Sequence, residues 1–306
     1  MHPALSIIFF TTASGLGYGL AMLLGLDILA PAAISTRIAY LAALALIGCG
    51  LLSSTLHLGN PQRAWRALSQ WRSSWLSREG VMAIVTFIPL LISAWLSIVD
   101  GRYSPISGLL QTAFSLVTVY CTAMIYASLK SVHAWHTKLT PLCYLLFALA
   151  GGAILALFFA ACESGPVRTL AVGAIVALAA AWAAKAAWRN RMRETKPLSS
   201  PESATGLGFI GSVRLLERPH TTENYLTREM GFRIARKHAA KLTRISLLLG
   251  AVVPVILAIV VLLAGQGSLA VLFSLLAVLA FAAGIMVERW LFFAEAKHAV
   301  MNYYGG

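Results

Sequence analysis

Residues 140–162 read TPLCYLLFALAGGAILALFFAAC, an unbroken stretch without a single charge. A helix of about 20 apolar residues crosses the roughly 30 Å hydrocarbon core of a bilayer, whereas a helix of a soluble protein keeps one face polar. Working outward, runs of the same kind recur near 4–29, 36–57, 79–99, 105–129, 140–162, 167–188, 244–264 and 268–293, eight in all. Lipid offers no partner to backbone amides, so each run must be helical, and a β-barrel would show alternation in place of continuous runs. The expected fold is all-α: one polytopic membrane domain, a bundle of eight transmembrane helices with a long cytoplasmic loop over 189–243. The composition, 59% hydrophobic and 11% charged, agrees. The first run lacks a basic n-region and is too long for a signal peptide, so it is expected to stay in the mature protein.

Charge orients the bundle. Assigning connections to alternate sides puts 21 of the 24 basic residues in the 58–78, 130–139 and 185–244 segments and the C-terminal end, against Arg37, Arg102 and Arg168 opposite. Short cytoplasmic loops concentrate Lys and Arg, which places both termini and the long loop in the cytoplasm of a bacterial cytoplasmic membrane. The net charge of +13 is therefore one face of the molecule. Basic residues divided among loops, with no nucleic-acid motif, argue against a nucleic-acid partner and for anionic membrane lipids and an acidic protein.

The long loop divides in two. Residues 193–203 are polar and rich in Pro and Ser, so irregular backbone is expected. Residues 222–238 set Tyr225, Glu229, Phe232 and Arg236 at helical spacing beside Arg228 and Arg233. That stretch reads either as an interfacial helix on lipid or as a docking helix for a partner.

The chemistry gathers at one loop. His57 ends the second run, Glu79 opens the third, and between them lie Arg63, Trp65, Trp71, Trp75 and Arg78. A histidine and a carboxylate about one turn into the bilayer form a proton-exchanging pair suited to a lipid-soluble redox carrier such as a quinone. The plainer reading is also open: His57 caps helix carbonyls, Glu79 is a first-turn carboxylate after Ser77 as N-cap or pairs with Arg78 or Arg63, and the tryptophans form an interfacial belt. No histidine falls at mid-span, which argues against a b-type haem, so electrons must come from or go to a cofactor in another subunit. Cys49, Cys121, Cys143 and Cys162 have no metal-ligand spacing and read as small buried hydrophobes. Gly15, Gly17 and Gly19 read as a helix contact, and Glu288 and Arg289 as partners of each other or of a neighbour. A secondary transporter is the poorer alternative, because Pro89 and Pro254 interrupt spans without a convincing repeat. A redox-silent scaffold differs only in whether His57 and Glu79 do chemistry.

His57-Leu58-Gly59-Asn60-Pro61-Gln62-Arg63-Ala64-Trp65, the following Leu76-Ser77-Arg78-Glu79, eight spans and the late Glu288-Arg289 resemble the membrane anchor subunits of dimethyl sulfoxide reductase and its relatives. The opening His2-Pro3-Ala4-Leu5-Ser6 and the 213–238 loop resemble the sulfite dehydrogenase branch more closely. The resemblance implies a haem-free and metal-free subunit that exchanges electrons with ubiquinone or menaquinone. It also implies two partners, an iron–sulfur electron-transfer subunit and a molybdopterin catalytic subunit. Roles in quinol chemistry carry to His57 and Glu79, with Arg63 matching the motif's arginine; Trp65, Trp75 and Arg78 are candidates for the pocket or interface, and Tyr225, Arg228, Arg233 and Arg236 for docking.

Overall fold

The computed structural model describes residues 4–55, 58, 60–163, 165–195, 199–217, 222, 224 and 234–304, with the side chains of 234–237 left aside. Among the described residues, eight helices are long and apolar enough to cross a membrane. They are α1 (Leu5–Leu24), α2 (Ile34–Thr55), α3 (Trp75–Trp95), α4 (Pro105–Ala127), α5 (Leu139–Cys162) and α6 (Val167–Glu194), then a seventh crossing and a last helix. After α6 comes one turn, α7 (Pro201–Thr205), and the seventh crossing joins α8 (Ile234–Leu247) to α9 (Val253–Ala264) through a π-helical turn at Leu248–Val252. α10 (Ser268–Ala294) closes the bundle. A second π-helical turn, Leu96–Asp100, extends α3. No strand occurs among the described residues.

α1 and α5 form the centre, with most of each buried, and the other spans present large apolar side chains outward as lipid requires. Their contact is very close. A Cβ on Gly19 would collide with the Ala148 carbonyl, and one on Gly152 would collide with the Gly19 backbone. Only glycine allows the two backbones this approach, the usual way membrane helices gain packing when lipid supplies no hydrophobic drive. Gly17 meets Ile47 of α2 in the same manner, while Gly15 has open space beside it, so the expected glycine contact rests on two of its three residues.

The connections sort cleanly between two ends. At one end the Glu163 carboxylate accepts from the backbone N–H groups of Ile34 and Ser35, and Gln266 donates to the carbonyls of Ala161 and Glu163. At the other, Val132 bridges to His298 and Tyr303 reaches the Ala204 carbonyl. Arg37, Arg102 and Arg168 all belong to the first end.

Several details differ from expectation. α6 runs to Glu194, so Lys185 is a buried helix residue and not part of a loop. Arg289 is buried as well, which removes two of the 21 residues assigned to the basic face. The polar 193–203 stretch contains a helical turn, because Ser200 caps it reciprocally with Ser203 and Pro201 sits at its first position. Ser74, not Ser77, is the N-cap of α3. Cys49 and Cys162 are exposed on the bundle's outer surface, leaving only Cys121 and Cys143 as buried thiols.

Candidate functional site

Glu79 is the fifth residue of α3, so it lies about 6 Å along the helix from Trp75 at 1.5 Å per residue. It is buried, and its partner comes from the neighbouring helix: Thr122 Oγ1 on α4 stands 2.5 Å from Glu79 Oε1. The same hydroxyl is 3.1 Å from the Thr118 carbonyl. One hydroxyl proton cannot serve both acceptors. Thr122 therefore donates to Glu79 when that group is a carboxylate, or accepts from it when it is a carboxylic acid and donates to Thr118 instead. The site accommodates either protonation state by rotating one hydroxyl. Among the described residues no cation lies within ion-pair distance of Glu79.

Thr122 lines a cleft between α1, α4, α5 and α10, with Thr12, Tyr18, Tyr144 and Arg289 also in its walls. The cleft is narrow, with room for about one water molecule as it stands, so a ring-shaped ligand enters only as side chains move aside. The hydroxyls of Thr12 and Tyr18 are buried there without a hydrogen-bond partner. The Tyr144 hydroxyl on the same cleft is a third; buried polar atoms are nearly always satisfied, so three orphaned hydroxyls on one cleft point to a polar occupant.

Behind the far wall is a charged cluster. Lys185 Nζ of α6 lies 2.5 Å from Glu288 Oε1 of α10, and Arg289 Nε lies 3.4 Å from Glu288 Oε2. All three side chains are buried. The guanidinium of Arg289 stacks 3.8 Å over the Tyr144 ring, and Lys185 Nζ sits 3.8 Å over the ring of Trp188. One acid between two cations leaves a formal excess of one positive charge, which the aromatic faces partly satisfy. Arg289 thus brings a positive group to the cleft wall from α10, with Thr122 and behind it Glu79 reached through α4.

The residues proposed from sequence are scattered by comparison. Arg63 and Trp65 are exposed on a 3-10 helix, Pro61–Gln70, that buries nothing. The Arg78 side chain turns away from Glu79: it donates to the carbonyls of Trp71 at 2.9 Å and Arg72 at 2.7 Å and stacks 4.3 Å over Trp75. The Glu79 ion pair with Arg78 or Arg63 considered above does not form. Trp75 meets Tyr120 edge-on across the α3–α4 surface. His57, Tyr225, Arg228, Arg233 and the side chain of Arg236 lie outside the described residues. Sequence reasoning missed Lys185, Thr122 and Tyr18. For Lys185 the signal was present, because Ala186-Ala187-Trp188 continues the apolar run beyond it. Among the described residues no group of three or more His, Cys, Asp or Glu side chains gathers to hold a metal ion.

Eight apolar spans, with a cleft among four of them and a buried carboxyl in the second turn of α3, define an integral membrane protein. The family model of the DMSO reductase anchor subunit (DmsC) matches residues 1–294, and the protein belongs to that family of membrane anchors of oxidoreductase complexes. It is 32% identical to a sulfite dehydrogenase subunit of Allochromatium vinosum, over 99% of both sequences. It is 30% identical to a component of the anaerobic dimethyl sulfoxide reductase of Escherichia coli, over 44% of this sequence and 48% of that one. Against a component of the Haemophilus influenzae anaerobic dimethyl sulfoxide reductase it is 29% identical, over 36% of this sequence and 40% of that one.

Proposed function

We propose that this protein is the haem-free, quinone-reactive anchor of a complex whose other parts are an iron–sulfur electron-transfer subunit and a molybdopterin catalytic subunit. The observation that carries the reading is Glu79: a buried carboxyl with a rotatable hydroxyl partner and no ion pair among the described residues, beside a cleft that holds unpartnered buried hydroxyls. A quinone supplies two-electron, two-proton chemistry when bound. Glu79 and Thr122 hold and move a proton at the cleft wall, Tyr18 donates to a ring oxygen, and Arg289 favours the electron-rich oxygen at the opposite wall. Lys185 and Glu288 hold Arg289 in place. Arg63 and Trp65, both exposed, and the 222–238 segment of the long loop serve docking of the iron–sulfur subunit. That end faces the cytoplasm of a bacterial cytoplasmic membrane in this reading, as the bias in basic residues favours. The full-length similarity to a sulfite dehydrogenase subunit supports quinone reduction driven by sulfite oxidation over the reverse direction.

Glu79→Gln keeps shape and hydrogen bonding while removing the titrating proton. The variant complex is expected to assemble and to keep catalytic-subunit activity with a soluble electron dye. Quinone-linked turnover falls by about 10²-fold or more, the usual scale for loss of a positioned acid or base. Undiminished quinone turnover would leave the redox-silent scaffold as the better account.

A further inference from the structure

Five polar side chains occupy one buried face of α4: Ser107, Gln111, Ser115, Thr118 and Thr122, at steps of three and four residues. From Ser107 to Thr122 they cover about 22 Å of helix at 1.5 Å per residue, most of a hydrocarbon core. α3 sets hydroxyls against them. Thr86 and Thr118 are joined at 2.9 Å, and Ser93 donates to Ser107 at 3.0 Å. At one end Thr122 meets Glu79. At the other, the Tyr40 side chain lies beside Ser93 and Gln111 and within electrostatic range of Tyr103 and Asp27. Tyr103 donates to the Gly25 carbonyl at 2.7 Å, and Asp27 is exposed at the end opposite the basic loops.

Hydroxyls that glue membrane helices together account for the two bonded pairs. They do not account for what lies between. Ser115 Oγ and Gln111 Oε1 are wholly buried and have no hydrogen-bond partner, although Gln111 Nε2 donates to the Ala21 carbonyl at 2.6 Å. One orphaned hydroxyl and one orphaned amide oxygen in sequence along the stripe leave hydrogen-bonding capacity that a water between them would satisfy.

We propose that this stripe is a proton path, leading from the surface at Asp27 and Tyr103 through Gln111, Ser115 and Thr118 to Glu79, with water completing it at the two orphans. The proposal rests on the reading of Glu79 as a proton-exchanging group. Each hydroxyl or water accepts a proton on one side and releases one on the other, while the Gln111 amide oxygen only holds a water in line, so the path itself is unchanged. When quinone is reduced, two electrons arrive from the partner's iron–sulfur cluster and two protons enter from the Asp27 end, passing through Glu79 one at a time. When quinol is oxidised, both flows reverse. Protons and electrons therefore meet the ring from opposite ends of the bundle.

The test uses the intact complex in liposomes, sorted so that the soluble subunits face outward, with a pH-sensitive dye trapped in the lumen and a short-chain quinone as probe. Turnover that reduces quinone is expected to make the lumen alkaline, and a protonophore abolishes the signal. Gln111→Leu and Ser115→Ala should each slow quinone-linked turnover and lumen pH change by about tenfold or more, while activity with a soluble electron dye is kept. Ser115→Thr, which restores a hydroxyl, should recover most of both. A wild-type complex that draws its protons only from the outer medium would overturn the path, and so would Leu and Ala variants with normal turnover. Loss of quinone turnover in Glu79→Gln alongside normal Gln111→Leu and Ser115→Ala variants sinks the path alone. Retention in Glu79→Gln sinks the reading on which it rests.

Discussion

Removing the acid from the Lys185–Glu288–Arg289 cluster should damage the protein far more than removing one of its cations. Glu288→Gln raises the buried excess from one positive charge to two and leaves Lys185 without the oxygen that stands 2.5 Å away. Breaking a buried pair in this way costs about 3–5 kcal/mol, because the remaining ion is neither solvated nor matched. At about 2 °C per kcal/mol, appropriate to a long polypeptide, the apparent Tm in detergent falls by roughly 6–10 °C. Lys185→Met acts in the other direction on charge. It leaves Glu288 with Arg289 as a neutral pair, so the lost charge-assisted bond, about 1.5–3 kcal/mol, is offset by no longer burying an ammonium. The net change should stay within about 2 kcal/mol.

The assay is built into the site. Cys143 is buried on α5 and lines the space around Lys185, Glu288 and Arg289, so its thiol reacts with a fluorogenic maleimide only as this part of the bundle opens. Cys49 and Cys162 are exposed and are replaced by serine, and Cys121, the other buried thiol, is replaced by alanine, so that Cys143 alone reports. Equal destabilisation by Lys185→Met and Glu288→Gln would refute the charge-balance argument and show that hydrogen-bond geometry at Glu288 decides stability.

Three further outcomes are expected. Gly152→Leu should abolish folded protein in membranes, since its side chain has nowhere to go but the Gly19 backbone, whereas Gly173→Leu, with open space beside it, should express normally; fluorescence-detected size exclusion compares them. Glu163 is held below the usual carboxylate range, chiefly by the Ser35 backbone N–H, so its stabilising contribution is present at neutral pH, fades as the pH drops below the usual carboxylate value, and is gone once the folded group is protonated. Thermal scans of Glu163→Gln should therefore diverge from wild type at neutral pH and converge in acid. The detergent-purified subunit should show no haem absorption, and a bis-histidine spectrum in one-to-one ratio with the protein would contradict the reading from the placement of its histidines.

How much the sequence reveals depends on which physical force shapes each feature. Spans are legible because the bilayer acts on every residue of a run at once: a stretch such as 140–162 permits one answer, and the structure's helices follow it. Glu79 is legible for a related reason, since a charge just inside an apolar run is costly and therefore conspicuous. Its partner is not. Thr122 lies 43 positions away on another helix, and threonine in a membrane helix usually bonds to its own backbone, so nothing local distinguishes it from Thr112 or Thr118. Lys185 shows the opposite failure. A lysine near a span's end normally extends to the headgroups, and by sequence Lys185 was counted with the basic 185–244 segment. What overrides the rule is Glu288, one helical layer away and more than a hundred residues later, which holds the ammonium inside the bundle. Both misses share a cause: polar pairing inside a membrane is decided by which helices pack together, and the apolar runs that reveal the helices carry almost no information about their neighbours.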